Sequence, residues 1–452
     1  MKVKTIKALL MIMAALLELG DLLSGYHILA LISLGFSIVF LLSNFALLRL
    51  NVRAILLFSG LVLGYFLANG GEFDTLILSA SGAMYLPALI TVMVLLRLAA
   101  QQSMLVQTAA HFVVDQPPSR RFALLAAGGH VFGILLSLGG FILLMKIAMA
   151  DLAKRPRSDI VAEIQSRRST IAIIRGFGST LFWSPIGIAL NLLLPLTHET
   201  EWIDFAPYGV GLVFVYIGIS WMFDQIGPSP KERVIGSRNG WPVLRLLLLI
   251  IGITGSTVLA EALTGIPVRA AILILVPIYA FVWAVAANQT KQSKSTSARE
   301  YAFLIPDTLM QSAPEIAILT ASGFMGLLIS SMVPPETISS LISHYGLSAG
   351  ALACFVTSVI FACSLIGINP MITATVLVAS IVNAEIEISE ILLIIAALCG
   401  WSTSLLISPI TATVAMAASA LSKPILTVGL RWNGWFAFTF MLLCQGCFLL
   451  YS

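Results

Sequence analysis

Long apolar segments are the feature that most constrains this chain. A helix needs about 20 apolar residues to cross the hydrocarbon of a bilayer, and such stretches, separated by Pro, Gly or clustered charge, recur along the sequence. Hydrophobic residues make up 59% of the 452 residues and charged residues only 10%. A water-soluble fold of this composition would expose large apolar patches. We therefore predict an all-α integral membrane protein.

Applied along the chain, the length rule predicts about eleven transmembrane helices and leaves two apolar stretches unassigned. The N-terminal segment is basic and then apolar, like a signal peptide, but no small-residue cleavage site precedes Glu18 and Asp21, so we interpret it as a retained first span. The unassigned stretches are 121–150 and 347–381. The predicted spans are 6–22, 26–48, 54–68, 77–99, 170–196, 207–223, 243–263, 269–287, 302–333, 391–421 and 435–451.

Lys and Arg predict the orientation because they mark cytoplasmic loops. Basic blocks alternate with acidic loops, as in the basic loop 154–168 and the acidic loop 385–390. With the N-terminus cytoplasmic and the C-terminus external, the alternation holds only if each unassigned stretch enters and leaves on one side. We therefore predict two re-entrant hairpins, one from each face, in a bacterial inner membrane. Arg269 is the one basic residue that this arrangement leaves outside.

An internal repeat relates the segments 176–186 and 400–410, which we call the Ser-Pro segments. They align without a gap at an offset of 224 residues and include Ser184-Pro185-Ile186 and Ser408-Pro409-Ile410. The preceding loop is basic in one copy and acidic in the other, which predicts inverted-topology repeats. The predicted divisions are a first span (1–25), repeat 1 (26–223) with hairpin 121–150 and broken helix 170–196, a cytoplasmic linker (224–242), and repeat 2 (243–452) with hairpin 347–381 and broken helix 391–421.

Inverted repeats of transporters place the solute near the midplane, where unwound backbone survives only if it lines a cavity. Helix breakers and hydroxyls at the hairpin tips and in the Ser-Pro segments are therefore candidate ligands of a substrate or ion. The alternative is that small hydroxyl residues only allow close helix packing. The candidates are Ser137, Gly139, Gly140, Gly178, Ser179, Thr180, Ser184, Gly367, Asn369, Pro370, Thr373, Ser402, Thr403, Ser404, Ser408 and Thr411.

Charged residues inside spans are candidate coupling groups. Asp307, Gln311 and Glu315 follow at four-residue spacing, so we expect them to share a helical face, with Glu315 or Asp307 coupling transport to a proton or cation. Arg175 either pairs with an anionic solute or, as we favour, extends to the interface. His130 is interpreted as a packed residue rather than a proton relay.

The cysteine and histidine patterns argue against other classes. All five cysteines fall in apolar segments, and one Cys444/Cys447 pair alone does not make a metal site, so we expect no metal, no disulfide and no cofactor. The five scattered histidines do not form an enzyme site. Basic residues lie in short loops rather than along one face, which does not favour nucleic-acid binding.

The hairpin tips and Ser-Pro segments resemble the ion transporter superfamily, best known from the divalent anion and sodium symporters; the resemblance spans residues 26–451. In that family, Ser-Asn-Thr tips and Gly- and Thr-rich breaks bind substrate and sodium. Here the tip Gly367-Ile-Asn369-Pro370 keeps the asparagine, and the tip Ser137-Leu-Gly139-Gly140 does not. The resemblance implies an elevator mechanism in a homodimer. A mobile unit (121–196 and 347–421) would move against a scaffold, with 101–116 as a connecting helix.

The predicted function is secondary active transport of a small solute, an organic or inorganic anion, coupled to H⁺ or Na⁺ as a symporter. Membrane lipid is the other expected partner. Two alternatives stay open: a cation/proton antiporter that uses Glu315 or Asp307, and a channel.

Overall fold

The computed structural model describes residues 2–154, 158–227, 239–289 and 298–451. Throughout these ranges the regular structure is helical, and no strand occurs in them. The α-helices are α1 (Lys2–Ser24), α2 (Ile28–Asn44), α3 (Leu50–Ala68), α4 (Phe73–Gln102), α5 (Met104–Val114), α6 (Pro118–Leu136), α7 (Leu138–Lys154), α8 (Asp159–Gly178), α9 (Ile188–Leu193), α10 (Trp202–Ile226), α11 (Trp241–Thr264), α12 (Val268–Gln289), α13 (Ala298–Gln311), α14 (Ala313–Ser331), α15 (Pro335–Tyr345), α16 (Ala349–Leu365), α17 (Pro370–Asn383), α18 (Glu390–Ile407), α19 (Ala412–Leu421) and α20 (Trp432–Tyr451).

The all-α membrane architecture predicted from the sequence is confirmed. Nine helical stretches within the described ranges are long and apolar enough to cross a membrane, and each overlaps one predicted span. The predicted spans 6–22 and 170–196 are not among the nine. The first is helical, but its helix carries Lys7, Glu18 and Asp21, and the second is interrupted by non-helical backbone.

Both unassigned stretches fold as pairs of packed helices. Hairpin 1 is α6 and α7, which contact each other and are joined at the single residue Ser137. Hairpin 2 is α16 and α17, joined by the four residues 366–369. An ion pair of 3.1 Å between Arg121 and Asp151 links the two arms of hairpin 1 at its open end.

Each hairpin is followed by a helix that breaks at its Ser-Pro segment. After α8, a 3₁₀ turn (Ser179–Leu181) leads into unwound backbone at 182–187, which we call break 1. Between α18 and α19, the residues 408–411 form break 2. Pro185 and Pro409 fall inside these breaks because proline has no backbone N–H to continue a helix.

The two broken helices run antiparallel. Near the start of α8, Glu163 pairs at 2.9 Å with Lys423, which lies just beyond the end of α19. At the start of α18, Glu390 accepts hydrogen bonds from the backbone N–H groups of His198 (2.7 Å) and Thr200 (2.9 Å), just beyond α9. Each broken helix therefore begins where the other ends.

The helices form two packed groups. The scaffold group surrounds α4, which contacts α1, α2, α12 and α14, while α11 packs on α12 and α3 on α14. The second group contains both hairpins and both broken helices, with α6 on α8, α16 on α18, and α10 and α20 packed alongside. The groups meet where α17 packs on α14 and α6 contacts α4.

Three placements differ from expectation. The predicted span 302–333 is two helices, because Pro314 ends α13 and starts α14. Arg175 does not reach the interface: it is buried, and its guanidinium lies 4.1 Å from the Phe436 ring. Arg269 packs inward, 4.2 Å over the ring of Tyr85.

Two predicted loops lie partly outside the residues that the structure describes. Helix α10 continues to Ile226, so the predicted linker 224–242 starts later than expected. Its residues 228–238 lie outside the described residues, as do 155–157 of the predicted cytoplasmic loop 154–168.

Candidate functional site

The two Ser-Pro segments meet inside the second helix group. The Ser402 hydroxyl donates a hydrogen bond of 3.1 Å to the carbonyl oxygen of Gly178, and Ser402 is fully buried. Glycine leaves room here for a third residue, since a Cβ at position 178 would lie 3.0 Å from the Tyr216 hydroxyl, in tight contact. The hydroxyl and glycine positions that the repeat singled out are therefore in direct contact.

Side chains satisfy the carbonyl groups that break 1 frees from helical bonding. The Asn191 amide donates to the carbonyl oxygens of Pro185 and Gly187, and the Trp202 indole N–H donates to that of Trp183 at 2.8 Å. Unwound backbone inside a membrane is stable only when its polar groups are paired in this way. Asn191 was not predicted from the sequence, although an asparagine just after a helix break inside a span was a usable signal.

His130 on α6 holds break 1 against hairpin 1. Its Nε2 accepts from the indole N–H of Trp183 at 2.9 Å, and its Nδ1 lies 2.8 Å from Oγ of Ser179. The Ser179 hydroxyl already donates to Gly176, so Nδ1–H donates and the imidazole is neutral. His130 is a positioning residue with both nitrogens occupied, which agrees with its interpretation as a packed histidine.

Break 2 is held by its hydroxyl residues. The Ser408 hydroxyl donates to the carbonyl oxygen of Ser364 on hairpin 2 at 2.7 Å. The Thr411 hydroxyl donates to Ser408 at 2.8 Å, and the Thr413 hydroxyl donates to Leu405 at 3.0 Å. The candidate ligand residues Ser408 and Thr411 therefore stabilise break 2 through these hydrogen bonds.

Ser184 in break 1 occupies the position equivalent to Ser408, but its buried hydroxyl has no hydrogen-bond partner among the described residues. The same holds for the hydroxyl of Ser364 on hairpin 2. An unpaired buried hydroxyl costs free energy, so the hydroxyls of Ser184 and Ser364, which lie in break 1 and on hairpin 2, are candidate contacts for a ligand. Ser364 was not predicted from the sequence.

Three other predicted hydroxyls bond within their own helices. Thr180 donates to Phe177, Ser404 donates to Gly400, and Thr403 donates to both Cys399 and Gly400. All three residues are buried. Their donor protons are already used, which fits the packing interpretation as well as a ligand role.

The tip of hairpin 1 contacts a charged pair on the scaffold. The Ser137 hydroxyl donates to Glu315 at 2.9 Å, and Arg97 on α4 pairs with the other Glu315 oxygen at 3.1 Å. The side chains of Arg97 and Glu315 are only 10% and 13% exposed. A Cβ on Gly139 would lie 3.3 Å from the Arg97 side chain, and one on Gly140 would lie 2.2 Å from a carbonyl oxygen of α6. Arg97 was not predicted from the sequence, in which it is a single charged residue at the end of an apolar span.

The tip of hairpin 2 begins α17. Gly367 has a φ of 101°, a conformation that favours glycine, and the Oδ1 of Asn369 caps the helix by accepting from the Met371 N–H at 3.0 Å. Pro370 starts the helix, and Thr373 lies largely buried one turn later. The Asn369 Nδ2 group has no partner among the described residues, so it can donate to a ligand.

Asp307 does not share the environment of Glu315. It pairs with Lys4 at 2.6 Å and its side chain is 50% exposed, and the break at Ser312 separates it from α14. The expectation that Asp307, Gln311 and Glu315 occupy one helical face is therefore wrong, because Pro314 interrupts the helix between them.

No protein-family model matches the chain, and no curated protein matches it in sequence. Solved structures do match it in fold. The YdaH transporter of Alcanivorax borkumensis superposes with a TM-score of 0.58 at 16% identity, over 83% of this chain and 86% of that one. MtrF of Neisseria gonorrhoeae, described with a class of antimetabolite efflux pumps, superposes with a TM-score of 0.52 at 11% identity, over 79% and 80%. The chain therefore has the fold of these membrane transporters, and membership of the ion transporter superfamily stays a prediction.

Proposed function

We propose that this protein is a secondary active transporter that moves a small anion across the cytoplasmic membrane by an elevator movement. The observation that carries the proposal is the contact between the two Ser-Pro segments at Gly178 and Ser402, with hairpin arms packed beside both. The fold shared with two transporters supports it.

An anion fits the groups at the site better than a cation does. The Ser184 and Ser364 hydroxyls are unpaired donors, and the Asn369 side chain, whose oxygen caps α17, carries an amide donor as well. Helices α17 and α19 begin at the hairpin 2 tip and at break 2. Helix N-termini present unpaired N–H groups and favour negative charge. None of these three side chains is a carboxylate.

The mobile unit would include α10 and α20 as well as the hairpins and broken helices. Arg175 of α8 donates to the side-chain oxygen of Asn433 on α20 at 3.0 Å and to Ser220 on α10 at 3.4 Å. The ring of Phe182 in break 1 packs on Tyr216 of α10. These contacts would cost much to break, so the elements would move together.

Coupling would act through Glu315, with H⁺ or Na⁺ as the coupling ion. The Ser137–Glu315 bond crosses from hairpin 1 to the scaffold, so an elevator movement has to break it. Binding of a cation or proton at Glu315 would weaken both this bond and the ion pair with Arg97. Our proposal assigns this role to Glu315 rather than to Asp307, because Asp307 pairs with Lys4 at an exposed position.

Purified protein in proteoliposomes tests the proposal with small carboxylates, inorganic oxyanions and anionic antimetabolites, the last chosen because of the MtrF description. We expect saturable uptake with counterflow for at least one anion, and loss of ion coupling in Glu315→Gln but not in Asp307→Asn. Non-saturable flux would instead indicate a channel. Exchange of a metal cation for protons, without anion transport, would indicate an antiporter.

A further inference from the structure

A second polar cluster lies inside the scaffold, away from the breaks. Glu18 is on α1, which packs against α2, α4 and α12. The Glu18 side chain is fully buried, and neither of its carboxylate oxygens has a hydrogen-bond partner among the described residues. A buried carboxyl without a donor is unstable as a bare anion, so this position needs a bound species.

Like the Glu18 carboxylate, the neighbouring hydrogen-bond donors of Tyr85 and Arg269 are unpaired. The Tyr85 hydroxyl of α4 is buried without a partner, and so are Nε and Nη2 of Arg269 on α12. The Arg269 guanidinium lies 4.2 Å over the Tyr85 ring, and its charge interacts with that of Glu18. The unpaired carboxylate of Glu18 therefore interacts with the unpaired groups of Tyr85 and Arg269 through their charges, and no hydrogen bond joins them directly.

Polar side chains lie between Glu18 and the surface, near the turn between α1 and α2. Asp21, one helical turn after Glu18 on the same face, lies 2.9 Å from Nδ1 of His27 and accepts from the Ser81 hydroxyl at 2.7 Å. Ser81 also lies 3.2 Å from His27. The Asp21 side chain is 2% exposed and that of His27 is 47% exposed, so His27 forms the outer end of a polar chain.

We infer that Glu18 is a proton-binding site inside the scaffold, reached from the surface through His27, Ser81 and Asp21. A metal cation would need several oxygen ligands, and an anion would be repelled by Glu18 and Asp21. A proton needs only one carboxylate oxygen, and water molecules can bridge the donors to it.

The charged and titratable groups around Glu18 are few. Asp21 faces it from α1, Tyr85 from α4 and Arg269 from α12. Helix α2 carries no titratable residue. On α13, Asp307 pairs with Lys4 at the other end of α1. Protonation at this site is therefore governed by Asp21, Tyr85 and Arg269.

Proton binding here does not depend on the proposed function; only a role in coupling would rest on it. Infrared titration of the purified protein measures the site directly, through the carbonyl stretch of a protonated carboxyl group. Because the other carboxyl groups also give this band in acid, the signal of Glu18 is the difference between the spectra of the wild type and Glu18→Gln. We expect this difference to contain one carbonyl band that grows as the pH is lowered. Glu261→Gln, at the end of α11, is the matched control and should keep this band.

Two further variants keep the test decisive if Glu18→Gln folds poorly. Tyr85→Phe removes one neighbouring donor and should shift the pH midpoint of the band, whereas His27→Gln should slow proton exchange and leave the midpoint unchanged. The proposal is overturned if the wild type and Glu18→Gln have the same carbonyl band at every pH, or if Tyr85→Phe leaves the midpoint in place. Absence of solute transport by the wild type would refute the proposed function without affecting this result.

Discussion

Ser402 donates its hydroxyl proton to the carbonyl oxygen of Gly178, and the two residues are 224 positions apart, the offset that aligns the two Ser-Pro segments. They are equivalent residues of the internal repeat. Two equivalent residues contact each other when they lie close to the axis that relates the copies. This contact explains why small residues occupy the site in both copies, because the helices approach most closely there.

Gly176→Ala should destabilise the protein strongly. A Cβ at Gly176 would lie 2.0 Å from the carbonyl oxygen of Ala126 on hairpin 1, and backbone atoms cannot move aside as a side chain can. Overpacking costs about 1–3 kcal/mol in ordinary cores, and we expect the upper end here. Thermal unfolding in detergent measures the loss. The control is Gly211→Ala on α10, where a Cβ meets no atom within 4 Å, and it should unfold like the wild type. Equal unfolding temperatures for the two variants would contradict the close contact between Gly176 and Ala126.

Ser184→Ala and Ser408→Ala should separate binding from stability. The Ser184 hydroxyl has no partner among the described residues, so its loss should weaken apparent substrate affinity and leave the unfolding temperature unchanged. The Ser408 hydroxyl bonds to hairpin 2, so its loss should lower stability by about 1 kcal/mol. Uptake kinetics and thermal unfolding of both variants check this. Wild-type uptake kinetics for Ser184→Ala would show that break 1 is not part of the substrate site.

Asn369→Ala should abolish transport and also lower stability by about 1 kcal/mol, because the side chain caps α17. Asn369→Ser keeps a capping oxygen but loses the amide donor. We expect this variant to unfold like the wild type and still fail to transport. Restored uptake in Asn369→Ser would show that the residue acts only as a helix cap.

Arg97 and Glu315 should be strongly coupled in stability. Arg97→Gln leaves the Glu315 charge buried with only Ser137 to donate to it, and breaking a buried pair costs about 3–5 kcal/mol. The double variant with Glu315→Gln should recover most of that loss. Denaturant unfolding of the four proteins gives the coupling energy. Additive losses in the double variant would mean that the pair does not interact.

Cysteine labelling should place the loops before the two broken helices on opposite faces of the membrane. In a background without the five native cysteines, Ser158→Cys should react with an impermeant thiol reagent only from the cytoplasmic side, and Glu387→Cys only from outside. Both positions are exposed. Labelling of both from one side would contradict the inverted repeat.

The helix breaks could be predicted from the sequence because their cause is local. Pro185 and Pro409 lack the N–H group that a helix needs, and the neighbouring glycine and serine residues make the pattern visible without any tertiary contact. The charged partners could not be predicted in this way. Arg97 and Glu315 are 218 residues apart, and Arg175 was expected at the interface because its partner Asn433 is 258 residues away. Pairing over such distances in sequence is set by packing, which the sequence pattern does not contain.

The two hairpin tips differ in length and in conformational freedom. Ser137 alone joins α6 to α7, at a φ of 50° that non-glycine residues rarely adopt, and its hydroxyl is tied to Glu315. The tip of hairpin 2 has four residues, a glycine in the left-handed region, and an Ile366 side chain that is 78% exposed. Despite the repeat, opening and closing of the site within the mobile unit would be one-sided: hairpin 2 can bend at its tip, whereas the two arms of hairpin 1 would move as one rigid pair with the broken helices.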